Sequence, residues 1–193
     1  GLGLISYYDA TNGNLKVAHC SDAACSKATI NTDALDSSGN VGRYTSVTIG
    51  ADGLGLISYY DATNEDLKLV HCSDAACFSV AITTLDSSGN VGRYPSVTIG
   101  ADGLGLISYY DATNGNLKVA HCSDATCSRV SGALRFASAT ITTLDSDGDV
   151  GKYSSVTIGS DGLGLISYYD ATNGNLKVAH CDNFFCTPYF RRR

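Results

Sequence analysis

The sequence predicts an all-β fold assembled from repeats of one four-stranded sheet. Three observations carry this. The phrase GLGLISYYDATN occurs four times unchanged, starting at Gly1, Gly53, Gly103 and Gly162, at intervals of 52, 50 and 59 residues. Periods near 50 residues mark stacked supersecondary units. Apolar and polar residues alternate in short runs, with no helical period between them. Asn-Gly and Asp-Gly pairs separate the runs, and such pairs supply the positive φ angles of tight hairpins.

The elements follow in order within one repeat. Tyr94-Pro95-Ser96-Val97-Thr98-Ile99-Gly100 alternates as a half-buried strand does. Ala101-Asp102-Gly103 turns the chain. Leu104 to Tyr110 is almost wholly apolar or aromatic, which predicts a strand covered on both faces. Asp111 to Asn116 forms the next turn. Leu117-Lys118-Val119-Ala120-His121-Cys122 alternates again. After a cysteine loop, Ala139 to Leu144 is a β-branched strand. Asp145-Ser146-Asp147-Gly148-Asp149 closes the unit.

A lone sheet of this kind has two apolar faces and cannot cover both. Sheets stacked radially as blades solve the problem, which predicts a β-propeller of about four blades. A β-solenoid is the rival, but its coils usually repeat at about 20–30 residues. The chain is read as one repeat domain over 1–193, with repeats at approximately 1–43, 44–93, 94–152 and 153–193. It begins at a second strand and ends near a third, so both terminal blades are partial. Either the tail adds a strand through Thr187–Phe190, or the chain is part of a larger ring. The absence of Met and of an apolar leader points to a mature or excised piece.

The units resemble the propeller repeats of secreted bacterial proteins with the pattern Y-x-S-V-x-I-G-x-D-G-x-x-x-I-S-Y-Y-D-x-x-x-x-x-L-K-V-A-H-C. They are distantly similar to sialidase-type Asp-box blades. An Asp-box wants Ser-x-Asp-x-Gly-x-x-Trp. Gly100-Ala101-Asp102-Gly103 keeps only part of that, and the chain has no Trp. The resemblance spans almost all of residues 1–181 and implies architecture, with no activity attached.

Composition excludes some functions. The net charge of −6 argues against a nucleic-acid partner. No apolar run reaches the roughly 18 residues of a membrane helix. Eight cysteines form four C-x4-C pairs: Cys20/Cys25, Cys72/Cys77, Cys122/Cys127 and Cys181/Cys186. Four intervening residues are compatible with a disulfide. A metal site using the adjacent His19, His71, His121 and His180 competes with that reading. It is disfavoured because neighbouring strand residues point to opposite faces. Free buried thiols are the third alternative. Disulfides would place the protein outside the cell or at its surface.

Tyr-Tyr-Asp is the leading candidate for ligand contact. The residues are Tyr8 and Asp9, Tyr60 and Asp61, Tyr110 and Asp111, and Tyr169 and Asp170. Tyrosine beside a carboxylate at a strand end can stack on a sugar and hydrogen-bond it. The competing reading is architectural: Tyr fills the space between blades and Asp caps the turn. The histidines occur once per repeat in one context and read as hydrogen-bonded strand residues. Asp145, Asp147 and Asp149 read mainly as a turn and no metal is expected; their D-x-D-x-D spacing, which suits a hard cation, makes calcium the weaker alternative there. The insertion at 129–137 is expected to protrude as a loop, and the Phe residues of the 182–193 tail to cap a sheet.

Near-identical repeats give equivalent sites. An enzyme usually gathers unlike residues at one mouth, and no nucleophile elbow, P-loop or HExxH motif is present. The expectation is therefore a non-catalytic extracellular binding or scaffolding module without a cofactor. Its expected partners are glycans or cell-surface proteins, with weak sites adding through avidity. The alternatives are a structural protein that self-associates to complete a ring, and a sialidase-like glycoside hydrolase.

Overall fold

The computed structural model describes residues 1–30, 33–128 and 138–187. Among them lie fourteen strands and no helix. The strands are β1 (Leu4–Asp9), β2 (Asn14–Cys20), β3 (Ala28–Ile30), β4 (Val41–Ile49), β5 (Gly55–Asp61), β6 (Asp66–Cys72), β7 (Val80–Asp86), β8 (Val91–Ile99), β9 (Gly105–Asp111), β10 (Asn116–Cys122), β11 (Ala139–Asp145), β12 (Val150–Ile158), β13 (Gly164–Asp170) and β14 (Asn175–His180).

They pair as four antiparallel sheets: β1-β2-β3, β4-β5-β6-β7, β8-β9-β10-β11 and β12-β13-β14. These are the blades of a β-propeller. The second and third blades are complete. Among the described residues the first has no counterpart of β4, and the fourth has no counterpart of β7. The insertion at 129–137 and residues 188–193 lie outside the described residues, so most of the expected Thr187–Phe190 strand does too. The described part of the tail, up to Thr187, forms no strand.

Blade contacts run from β1 to β4, from β4 to β8, and from β8 to β12. First strands therefore line the inner edge, and β7 and β11 lie at the rim. Alternation on β5 explains why blades stack. Leu56 faces the third blade, joining Leu67, Leu69, Val97, Ile107 and Tyr109 in one buried cluster. Ile57 and Tyr59 face the first blade, packing with Leu15, Val17 and Val41. The same arrangement recurs between the third and fourth blades, where Leu106, Leu117 and Val119 meet Val150, Val156 and Ile166. Burial of one such Leu contributes roughly 1.5–3 kcal/mol, and the repeats place several at each interface.

Two devices set the blade spacing. A Cβ at Gly92 would lie 2.5 Å from Leu67 Cα in the preceding blade, so only glycine permits that approach. Polar triads, buried at the first two interfaces and partly exposed at the third, lock the neighbours together. Tyr59 Oη (2.6 Å) and Lys68 Nζ (2.6 Å) both donate to Asp36 Oδ2 of the blade before. Tyr109 and Lys118 do the same to Asp86, and Tyr168 and Lys177 to Asp145. Burial works against the charge on Asp36, yet the bonds from Lys68, Ser38 and Tyr59 hold its pKa down at about 2.

Candidate functional site

Each first strand opens with Val-Gly-(Arg/Lys)-Tyr: Val41 to Tyr44, Val91 to Tyr94, and Val150 to Tyr153. The register against the next strand slips on both sides of Arg43, Arg93 and Lys152. A bulge of this kind bends a strand and re-aims a side chain. Here it holds Tyr44, Tyr94 and Tyr153 at φ of 55°, 53° and 54°. A left-handed backbone is a genuine outlier for a bulky residue. It costs on the order of 1–3 kcal/mol per residue, and such strain gathers at functional sites.

The three tyrosines form a ladder across the inner strands. Ring centroids lie 4.4 Å apart from Tyr44 to Tyr94 and 4.3 Å apart from Tyr94 to Tyr153. Tyr44 and Tyr153 are exposed and Tyr94 is half-buried. Burial and the flanking Tyr153 and Tyr44 push the Tyr94 phenol up, so it stays neutral.

A second row of aromatics stands beside the ladder. Tyr60, Tyr110 and Tyr169 lie 6.2, 6.5 and 6.5 Å from Tyr44, Tyr94 and Tyr153 respectively. Cations cover this row. Arg43 sits 5.5 Å over Tyr8, Arg93 5.4 Å over Tyr60, and Lys152 5.3 Å over Tyr110. The hydroxyls are oriented too. Tyr8 Oη donates to Asn40 Oδ1 at 2.7 Å and Tyr60 Oη to Asn90 Oδ1 at 3.0 Å. Arg43 Nε and Arg93 Nε donate to the same two oxygens. In the fourth blade a carboxylate replaces the amide. Asp149 accepts from Tyr110 Oη at 2.6 Å and from Lys152 Nζ at 2.6 Å. Lys152 and Tyr110 hold Asp149 below its ordinary pKa, while burial and Asp149 push Tyr110 up. Among the described residues neither Arg43 nor Arg93 has a carboxylate partner.

The Tyr-Tyr-Asp segments thus divide by strand alternation. Tyr8, Tyr60, Tyr110 and Tyr169 belong to the second aromatic row. The preceding Tyr59, Tyr109 and Tyr168 point between blades into the triads. The aspartates turn into the hairpins. Asp61 is buried and accepts from the Thr63 and Asn64 amides and from Asn64 Nδ2. Asp111 and Asp170 repeat that pattern with Asn114 and Asn173. Asp9 repeats it with Thr11 and Asn12.

The remaining candidates lie elsewhere. Disulfides join Cys20–Cys25, Cys72–Cys77, Cys122–Cys127 and Cys181–Cys186, with Cα atoms 4.7–4.9 Å apart. Three of the four histidines pair with aspartates of the adjoining turn: His71 with Asp52 (2.7 Å), His121 with Asp102 (2.8 Å) and His180 with Asp161 (2.8 Å). Of the D-x-D-x-D residues, Asp145 is taken by Tyr168 and Lys177, and Asp149 by Tyr110 and Lys152. Among the described residues no group of three His, Cys, Asp or Glu is placed to hold a metal ion. An open groove of about 410 Å³ runs along the outer edge beside Ala81, Ile82, Thr83, Thr84 and Ser128. It has no titratable lining.

Sequence reasoning passed over Tyr44, Tyr94 and Tyr153. The signal was present. A glycine inside a β-branched run marks a bulge, and Val-Gly-(Arg/Lys)-Tyr repeats three times.

No protein-family model and no curated protein matches this sequence. Solved structures do match its fold. The intramolecular trans-sialidase of Ruminococcus gnavus matches with a TM-score of 0.64 at 17% identity, over 96% of this chain and 41% of its own. An α-L-arabinofuranosidase of Clostridium thermocellum matches with a TM-score of 0.51 at 11% identity, over 92% of this chain and 64% of its own. The chain therefore spans less than two thirds of either protein. The expectation of a module that is not an enzyme is corrected by these matches: both proteins named are glycoside-processing enzymes on this architecture. Repetition among blades is thus no argument against catalysis, since unlike residues such as Asp149 and Asn90 occupy equivalent places at the inner edge. At these identities the likeness establishes the fold: this chain is an all-β propeller, distantly similar to the sialidase and arabinofuranosidase propellers.

Proposed function

We propose that this protein binds glycans along the inner-strand tyrosine ladder, in an extracellular setting that keeps its four disulfides oxidised. The observation that carries the reading is the ladder itself. Three tyrosines are held in a strained backbone conformation so that their rings form one half-exposed stack. Sugars present flat C–H faces that stack on such rings, and their hydroxyls pair with polar groups at the edge. Arg43, Arg93, Asn40, Asn90 and Asp149 supply those groups. Tyr8, Tyr60, Tyr110 and Tyr169 form the walls, and Asp9, Asp61, Asp111 and Asp170 hold the hairpins that carry them. The glycoside-processing enzymes that share this fold support the substrate class.

The test is a glycan array followed by titration of the strongest hit, watching tyrosine ring resonances by NMR. The same samples are followed over time for cleavage of the glycan. Binding that shifts the rings and is lost in Tyr94→Ala supports the reading. Absence of any glycan hit, or binding indifferent to Tyr94→Ala, overturns it.

A further inference from the structure

The two ends of the blade arc carry matched faces. Inside the molecule every blade presents one face to the blade before and another to the blade after. The forward face is Leu56, Leu67 and Leu69 in the second blade, and Leu106, Leu117 and Val119 in the third. The backward face is Ile57 and Tyr59 in the second, and Ile107, Tyr109 and Ala120 in the third. These residues are almost wholly buried.

At the ends of the arc the same residues meet solvent. On the fourth blade the forward face is Leu165, Leu176 and Val178, of which Leu176 is 76% and Val178 58% exposed. On the first blade the backward face is Ile5, Tyr7 and Ala18, of which Ile5 is 47% exposed. Among the described residues no contact comparable with those between successive blades joins the first blade to the fourth. β1 has no inner neighbour among the described residues, and β14 no outer one. Soluble monomers rarely expose contiguous apolar sheet faces.

We propose that these two faces bind each other between copies of this chain, head to tail. The occupant is read from the molecule's own interfaces. The open forward face of the fourth blade carries Leu176 and Val178 where the third carries Leu117 and Val119. The open backward face of the first carries Ile5 and Tyr7 where the fourth carries Ile166 and Tyr168. The fit needed is one the chain already makes internally. Tyr7 and Lys16 match Tyr168 and Lys177 of an internal triad. No described strand lies outside β14, so they sit at the rim of the docked pair, where Asp9 lies 3.5 Å from Lys16 and gives its charge a partner. Such an interface joins unlike faces, so it continues from copy to copy until rotation closes a ring.

The experiment is light scattering and sedimentation of the full chain from micromolar to millimolar concentration, with Ile5→Glu and Val178→Glu as variants. Both positions are exposed, and circular dichroism checks that each variant folds. The wild type is expected to associate, and either variant to weaken association at least about tenfold by burying a charge in an apolar contact. Mixing the two variants decides the geometry. Only one pair of intact faces remains, the fourth blade of Ile5→Glu with the first blade of Val178→Glu, so the mixture forms a dimer and nothing larger. A wild type that stays monomeric throughout overturns the proposal. So does association that neither variant weakens, or a mixture that stays monomeric. These readouts need no glycan, so they stand apart from the ladder test.

Discussion

Pro95 holds the repeat position that Thr45 and Ser154 hold in the blades on either side, and the buried hydroxyl of Ser58 in the blade before it has no hydrogen-bond partner among the described residues. At the equivalent place in the other two interfaces the hydroxyl is satisfied. Thr45 Oγ1 donates to Ser6 Oγ at 2.8 Å, and Ser108 Oγ to Ser154 Oγ at 2.9 Å. Proline has no donor to offer. An unpaired buried hydroxyl costs about 1–3 kcal/mol. Ser58→Ala is therefore expected to be neutral or stabilising, while Ser108→Ala, which removes the bond to Ser154 and leaves Ser154 Oγ only its bond to the Tyr94 carbonyl, loses about 1 kcal/mol. Denaturant unfolding of the two variants checks the contrast. Equal losses would refute it.

The triads predict an acid limit. The Asp36 carboxyl titrates at about 2 in the folded protein, below its ordinary value of 3.8. A depressed folded pKa means stability that is present above about pH 4 and lost as pH falls through 2. The stake at Asp36 is about 2 kcal/mol, and Asp86 and Asp145 are lowered in the same direction. Unfolding free energy measured between pH 6 and 2 should fall chiefly below pH 4. Asp36→Asn should flatten part of that fall.

The tyrosine ladder predicts a trade of stability against binding. Tyr94→Gly removes a bulky residue from φ 53° and relieves up to about 1–3 kcal/mol of strain, less the stacking lost. Thermal unfolding should show Tyr94→Gly at least as stable as Tyr94→Ala, with glycan binding absent in both. A Gly variant less stable than the Ala variant would mean that the backbone there is unstrained.

Blade spacing predicts an asymmetry between two glycines of similar dihedral angle. Gly92 has φ 89° and Gly103 φ 81°. A Cβ at Gly92 would strike Leu67 backbone at 2.5 Å, whereas one at Gly103 meets only Ala51 Cβ at 3.5 Å. Gly103→Ala should cost about 1 kcal/mol of backbone strain. Gly92→Ala should cost several times more, because the blades must part. Chemical denaturation of both variants gives the comparison.

Architecture was legible because it rests on local pattern. Period, alternation and turn residues are properties of neighbouring positions, and they placed β8 to β11 within a few residues of where they lie. The doubly apolar strand, Gly105–Asp111, announced that both faces of its sheet are covered. The C-x4-C spacing announced a closed loop. None of this needs to know which blade touches which.

What only the tertiary structure decided is the destination of side chains that cross between blades. Tyr59 and Tyr60 are adjacent in sequence, yet one enters a triad with Asp36 and the other faces the axis beside Tyr44. Strand alternation separates them, but the identity of their partners, 23 and 30 residues away, depends on how sheets stack. The ladder of Tyr44, Tyr94 and Tyr153 joins residues about 50 positions apart, and exists only because three bulges converge at the inner edge. Likewise, identical leucines are buried in one blade and exposed in another. The physical reason is the same throughout. Hydrogen bonds along a strand are local and periodic, whereas burial and ring stacking depend on which blade lies next to which.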